Sequence, residues 1–351
     1  MDSPTFLDLF SGCGGLSRAF VDEGFELKGA IDNNLPSAAT MAANFGEDRV
    51  HWQGIAEFTG VPKVDVVVGG PPCQGFSTLG KRDPQDARNG LWREYIRVVK
   101  ASDCKVFVLE NVDRFRSSGE LEALKRMTWK NRTLDGYKIE VHRLNAANYG
   151  APQRRTRVVV IGSRIGAIGE PPHTHGPQAS SPWRSVRDAI GSMGDEKPRE
   201  ALDDESVPFF GQLVPGPYKI NDIHVDRYYT PLSRKRISHV PEGGNRFDLP
   251  DALKPPCWLT HTRGTSDVFG RLNWDKPSVT IRTEFFKPEK GRYLHPELDR
   301  ALTHAEAALL QGFDERHQWC GSKIQIARQI GNAVPPPLGR AVARQVLGHL
   351  R

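Results

Sequence analysis

The sequence predicts an α/β protein: a mostly parallel sheet covered on both faces, joined to a smaller and irregular second lobe. Short β-rich runs alternate with helical patterns through the first third of the chain, as parallel strands with helical crossovers require. Several of those runs end in glycine-bearing or polar turns. Beyond about Ser163 the texture changes to Pro, Gly, Ser and charge, with aromatic residues scattered among them.

Residues 5–10 form a short apolar run that ends in Ser11-Gly12-Cys13-Gly14-Gly15, followed by a helical pattern through Phe20. Residues 27–31 read as the next strand and residues near 36–45 as a helix. A third strand at 64–68 ends at Gly69-Gly70-Pro71-Pro72. A helix at 91–99 and a strand at 106–109 follow, the latter running into Glu110-Asn111. Residues 137–144 and 157–161 add two strands at an edge of the sheet. Between 166 and 273 no period is sustained, and Pro171-Pro172, Pro215-Gly216-Pro217, Gly243-Gly244 and Pro255-Pro256 punctuate the segment. A disordered insert would have that texture too, but Trp183, Phe209, Tyr228, Tyr229, Trp258 and Phe269 favour an ordered lobe. Helical order returns at 304–311 and 338–350.

With 351 residues, 38% hydrophobic and 26% charged, the chain can bury a sizeable core and hold two lobes. The formal charge of +6 fits a polyanionic partner, although many basic proteins bind none. No apolar run is long enough to span a membrane, and the first residues lack the layout of a signal peptide. Five cysteines without a Cys-x-x-Cys pair argue against a disulfide framework or a zinc knuckle. A reducing cytoplasm is the expected compartment, and no metal site is expected.

Two constellations carry chemistry. The glycine-rich turn after the first strand lets the backbone approach a ligand, and Asp32 stands about 20 residues on, where an acid can meet ribose hydroxyls. The turn is not the G-x-G-x-x-G of dinucleotide enzymes, so a dehydrogenase is disfavoured and the ligand stays open. At the next strand end, prolines fix the backbone before Cys73 and glycines leave space around it. A lone cysteine is most often simply buried, and Glu110 alone is most often a cap or an ion-pair partner. Together, at adjacent strand ends, a thiol and a carboxyl suit attack on an electron-poor ring with acid assistance.

Five ordered blocks resemble the cytosine-5 DNA methyltransferases of the bacterial restriction-modification type. They are Asp8 to Gly15, Pro71-Pro72-Cys73-Gln74, Glu110-Asn111-Val112, Gln153-Arg154-Arg155-Thr156-Arg157, and Gln329-Ile330-Gly331-Asn332-Ala333-Val334-Pro335. The resemblance covers nearly the whole chain except about 166–270. It implies a Rossmann-like class I methyltransferase sheet in a catalytic domain of residues 1–165 and 320–351. Residues 166–319 would form the target-recognition domain with its hinge segments.

By the same resemblance, S-adenosylmethionine would meet Asp8, Phe10, Ser11, Gly12, Cys13, Gly14, Gly15, Asp32, Asn33, Pro71, Leu91, Asn332 and Ala333, leaving as S-adenosylhomocysteine. Cys73 would add to cytosine C6, Glu110 would assist at the ring, Arg157 would reach O2, and Arg155 would hold the site or a phosphate. The cytosine must be flipped out of its stack. Two departures concern the adenine end of the cofactor: Gly54 stands where the family usually has an acid, and Asn33 where it often has an aromatic or apolar residue.

Gln74, Ser77, Lys81 and Arg82 would meet DNA beside the extruded base. In the recognition lobe, Arg227, Arg234, Lys235, Arg236, Arg246, His261, Arg263 and Arg271 are the basic candidates, with 260–264 preferred for readout. The implied partner is double-stranded DNA, for a monomer in the cytoplasm at the nucleoid, acting separately from any cognate restriction endonuclease and without a membrane. A tRNA cytosine-5 methyltransferase shares this fold and these motifs. A catalytically silent DNA-binding relative would have lost Cys73, Glu110 or Arg157, and all are present.

Overall fold

The computed structural model describes residues 3–72, 90–194, 196–260 and 263–351. Its first elements are β1 (Thr5–Leu9), α1 (Gly15–Asp22), β2 (Glu26–Asp32), α2 (Leu35–Phe45), β3 (Val50–Trp52) and β4 (Val66–Gly69). They continue with α3 (Leu91–Ser102), β5 (Val106–Asn111), α4 (Gly119–Met127), β6 (Lys138–Asn145) and β7 (Thr156–Ser163). The strands form one seven-stranded sheet in the order β3-β2-β1-β4-β5-β7-β6. β1 to β5 run parallel, whereas β7 is antiparallel to both of its neighbours. This is the class I methyltransferase sheet.

Burial on two faces explains the composition of the central strands. Val66, Val67, Val68, Val106 and Phe107 are fully buried, as continuous apolar runs in a parallel sheet should be. β3 escapes a sequence reading because three residues carry no period. α4 was legible in principle: Ser118 caps it through the Leu121 N–H, acids stand in its first turn and Lys125 and Arg126 in its last.

Two compact units emerge. The first comprises Met1–Tyr149, Thr156–Thr174 and Ala333–Arg351; the second comprises Gly150–Arg155 and His175–Asn332. Residues 166–174, assigned by sequence to the second lobe, join the first unit. There the Ile168 N–H donates to Glu140 and the Ile168 carbonyl accepts from Gln345. Residues 320–332, assigned to the catalytic lobe, join the second: Gln329 donates to the Cys320 carbonyl, and Gly331 lies against the Thr283 backbone.

The second unit holds α5 (Val186–Ile190), a hairpin of β8 (Ser206–Phe209) and β9 (Gln212–Pro215), and the helices α6 (Pro231–Ser238), α7 (Pro256–Thr260), α8 (His304–Gln311) and α9 (Lys323–Asn332). The chain then returns to the first unit as α10 (Pro336–Leu350), whose Arg340 and Arg344 pair with Asp22 and Glu23 at the end of α1. Among the described residues no helix is long and apolar enough to cross a membrane.

With so little regular structure, the second unit satisfies its backbone through buried arginines. Arg271 donates to the carbonyls of Ile237, Val240, His295 and Leu298 and to Asp299. Arg300 makes a bidentate pair with Glu306, and His295 lies beside it. Nδ1 of His295 accepts the N–H groups of Glu297 and Leu298, so the ring must stay neutral there. Burial, first of all, pushes the His295 pKa down to about 4; burial pulls the Glu306 carboxyl upward, but the Arg300 pair and the Thr303 N–H together outweigh it and hold Glu306 below its usual range.

Both shifts act in one direction. Below about pH 6.5 the unfolded chain protonates His295 and the folded one does not, and nearer pH 4 Glu306 adds to that difference. The part of the stability that rests on these two groups should therefore fall as pH drops from 6.5 toward 4, by at most roughly 1.4 kcal/mol per unit from His295 alone, whereas the raised carboxyls of Asp8 and Asp32 in the first unit act in the opposite direction. Denaturation midpoints against pH test this; His295→Gln should flatten the upper part of the curve. An unchanged slope in that variant would contradict the assignment.

Candidate active site

The turn after β1 is built by backbone conformations that ordinary side chains resist. Phe10, Gly12 and Gly14 have φ of 58°, 55° and 84°. Gly15, first residue of α1, must be glycine for a different reason: a Cβ there would stand 2.3 Å from the Val334 carbonyl oxygen. That contact brings the first and last of the five sequence blocks together.

Asp32, at the end of β2, spans this turn. One carboxylate oxygen accepts the Gly12 N–H at 2.9 Å and the other accepts the Asn34 N–H at 2.8 Å. Burial raises its pKa, against the pull of those two bonds. Asp8 lies deeper. The Ser17 hydroxyl donates to its Oδ2 at 2.6 Å, while Oδ1 and the nearby Ser11 hydroxyl have no partner among the described residues. Burial pushes Asp8 up to about 7. An unsatisfied buried carboxyl oxygen is costly without a ligand and natural beside a cationic one.

The other half of the site lies at the ends of β4 and β5. Arg157, at the start of β7, places Nε 2.8 Å from Oε1 of Glu110, both side chains largely buried. Gly70 leaves room for the second oxygen: a Cβ there would stand 3.0 Å from Glu110 Oε2. Asn111, buried beside Glu110, donates to the Pro71 carbonyl at 3.0 Å and so pins the chain that leads into residue 73. Cys73, Gln74, Ser77, Lys81, Arg82 and His261 lie outside the described residues. Of the other cysteines, Cys13 is buried with its thiol pushed up to about 12, and burial also raises Cys104. Neither is poised as a thiolate.

Arg155 has partners of its own. It is buried in the second unit and donates to the carbonyls of Ile281 and Gly331, so bracing is open to it and a phosphate contact is not. Asn332 ends α9 in the second unit, exposed; Ala333 is buried in the first. Leu91 opens α3 and, like Phe10, packs against the core.

Sequence reasoning missed two side chains beside the departures at Asn33 and Gly54. The Trp52 indole, paired across from Asp32 in the sheet, donates to the Asn33 carbonyl at 3.2 Å. The Glu57 carboxylate lies 3.5 Å from where a Gly54 Cβ would be. Only the pairing of β2 with β3 reveals the first of these.

In the second unit, Arg271 and Arg246 are buried; Arg246 lies over Phe247 and donates to the Arg263 carbonyl, and neither can reach into a DNA groove as expected. Arg236 spends its Nε on the Leu253 carbonyl. Arg227, Arg234, Lys235 and Arg263 are exposed.

Comparison with known proteins agrees with this architecture. The C-5 cytosine-specific DNA methylase family matches residues 4–348. The chain is 35% identical to the type II methyltransferase M1.HphI of Haemophilus parahaemolyticus, covering 98% of this chain and 87% of that one. It is 31% identical to the type II methylase M.HgiDII of Herpetosiphon aurantiacus, over 97% and 94%. A crystal structure of a DNA modification methyltransferase encoded within an E. coli prophage shares the fold with a TM-score of 0.73, at 22% identity and 99% coverage of both chains. The chain belongs to the C-5 cytosine-specific DNA methylase family and is a DNA cytosine-5 methyltransferase.

Gly70→Ala tests the close approach at Glu110. The new methyl group should displace the carboxylate by a few tenths of an ångström and slow single-turnover methyl transfer roughly tenfold, with little change in melting temperature. A wild-type rate would show that the position of Glu110 Oε2 does not matter.

Proposed function

We propose that this enzyme uses S-adenosylmethionine to methylate C5 of a cytosine flipped out of a specific duplex sequence, and that it protects host DNA as part of a restriction-modification system. The observation that carries the reading is the Glu110–Arg157 pair at the carboxyl edge of the sheet, joined through Asn111 and Pro71 to the segment bearing Cys73. It would act as a monomer in the cytoplasm, independently of its cognate endonuclease.

The residues around the first turn fit the cofactor. Asp8 Oδ1 and the Ser11 hydroxyl, both buried and without a partner among the described residues, would hold its cationic amino-acid end, and Asp32 its ribose hydroxyls. Trp52 and Glu57 would serve the adenine in place of Asn33 and Gly54. When bound, S-adenosylmethionine supplies an electrophilic methyl group.

Cytosine C5 is a poor nucleophile, and the protein's task is to raise its electron density. The Cys73 thiolate adds to C6, pushing the ring electrons toward C5 and N3. Glu110 shares a proton with N3 and accepts from the exocyclic amine, while Arg157, anchored on Glu110, donates to O2. Once C5 carries the methyl group, loss of the C5 proton and departure of the Cys73 sulfur restore the aromatic ring. Flipping costs a few kcal/mol of stacking and pairing, repaid by these contacts.

A duplex carrying 5-fluorocytosine tests the nucleophile. Fluorine cannot leave as a cation, so wild-type enzyme should stay covalently attached through denaturation, and Cys73→Ser should not. An adduct in Cys73→Ser would remove Cys73 from the mechanism. Glu110→Gln should lower the single-turnover rate by about 10² to 10⁴; a wild-type rate at neutral pH would exclude it.

Cofactor affinity should depend on Asp8. A cationic group beside Oδ1 favours the ionised carboxylate, whereas the free protein protonates it below about pH 7. Binding then releases a proton, and affinity should fall by up to about tenfold per unit as pH drops below 7. Calorimetric titration of S-adenosylmethionine into Asp8→Asn should give weaker binding without that slope; a slope that persists would assign it to another group.

A further inference from the structure

Resting on the reading of this protein as a duplex-DNA enzyme, we propose that Arg227 and Arg234 form a sequence-independent clamp on the phosphodiester backbone, and are not readers of bases. From Arg227 to Pro241 the chain contains no Asp or Glu, and it carries Arg227, Arg234, Lys235 and Arg236. Arg227 precedes α6 and Arg234 lies within it, yet both guanidiniums settle on the same ring: their central carbons lie 5.5 and 5.6 Å from the Tyr229 centroid.

That ring is a fixed platform. Tyr229 is buried within a cluster that includes Ile237, Val240 and Leu294, and its hydroxyl accepts the Ala301 N–H at 2.8 Å. Two like charges are thus drawn to one aromatic group, and neither forms an ion pair among the described residues. Among the described residues the only side-chain hydrogen bond of the two is a long one, from Arg227 to the Phe286 carbonyl at 3.5 Å. Both cations therefore lack a carboxylate partner among the described residues, and backbone phosphates would supply one to each.

The surroundings favour backbone over base edges. Both arginines and the exposed Tyr228 line a cavity of about 610 Å³. The cavity's acids are partly engaged: Asp299 binds Arg271, and Asp226 accepts the Arg227 N–H. Glu196 and Glu200 also line it, and Lys197 lies between them in sequence. An arginine held over a ring of its own domain has spent the reach that a major-groove contact needs. Its free N–H edges remain available at the surface, where a phosphate and its sugar can pack, with Tyr228 beside the deoxyribose.

The test is equilibrium binding of the full chain to labelled mixed-sequence duplex, by fluorescence anisotropy, between about 0.05 and 0.2 M salt. Arg227→Ala and Arg234→Ala should each lower the slope of log affinity against log salt by about 0.9, and the double variant by about twice that. Arg227→Lys and Arg234→Lys should keep most of the slope. Discrimination between the methylated site and its single-base variants should match wild type in all of them. Unchanged slopes in the alanine variants, or losses confined to one sequence, would overturn the clamp while leaving the enzyme a duplex-DNA methyltransferase. Wild-type protein without measurable affinity for duplex would remove the proposed substrate and the clamp with it.

Discussion

The site depends on a single reversal of strand direction. β5 ends at Glu110-Asn111, on the carboxyl edge where ligands of open α/β sheets bind, and its neighbour β7 runs the other way. An antiparallel strand begins where its partner ends, so the first residues of β7 arrive at the carboxyl edge and Arg157 meets Glu110 at 2.8 Å. Had β7 been parallel, Arg157 would lie at the opposite edge of the sheet. The crowding that follows needs small residues: Gly70 beside the Glu110 carboxylate, and Gly15 against the Val334 carbonyl across the first turn.

The same edge separates two electrostatic environments. Around Asp8 and Asp32 burial raises carboxyl pKa values, and Asp8 keeps an oxygen without a partner among the described residues, as a pocket awaiting a cation would. Around Glu110 the carboxylate already has its counter-ion in Arg157 and is held in orientation. One half is therefore suited to a positively charged ligand. The other suits a neutral ring on which charge develops during the reaction, and such division of labour is what methyl transfer to a base requires.

Much of this was legible in the sequence, for identifiable reasons. The apolar runs of β1, β4 and β5 are buried on both faces, so composition alone betrays them, and Asp8, Asp32 and Glu110 stand at or near the carboxyl ends of β1, β2 and β5. The alternation of Arg155 and Arg157 was visible too, but not its consequence: the two fall in different units, Arg155 as a buried brace and Arg157 in the site. Trp52 was hidden because β3 is three residues long and its place beside β2 is a tertiary fact. In the second unit the aromatic residues correctly signalled order. The arginines did not reveal which were structural, because Arg271 replaces missing secondary structure by binding four carbonyls, and only the fold distinguishes it from an exposed cation such as Arg234.

The central claim is that this site places a methyl group on C5 of cytosine in duplex DNA. The most direct measurement is to express the full chain in a host free of cytosine methylation and sequence both its genomic DNA and its tRNA for 5-methylcytosine. The account predicts 5-methylcytosine at one recurring duplex sequence, absent when Cys73→Ser is expressed instead. Unmodified DNA alongside newly methylated tRNA would contradict it.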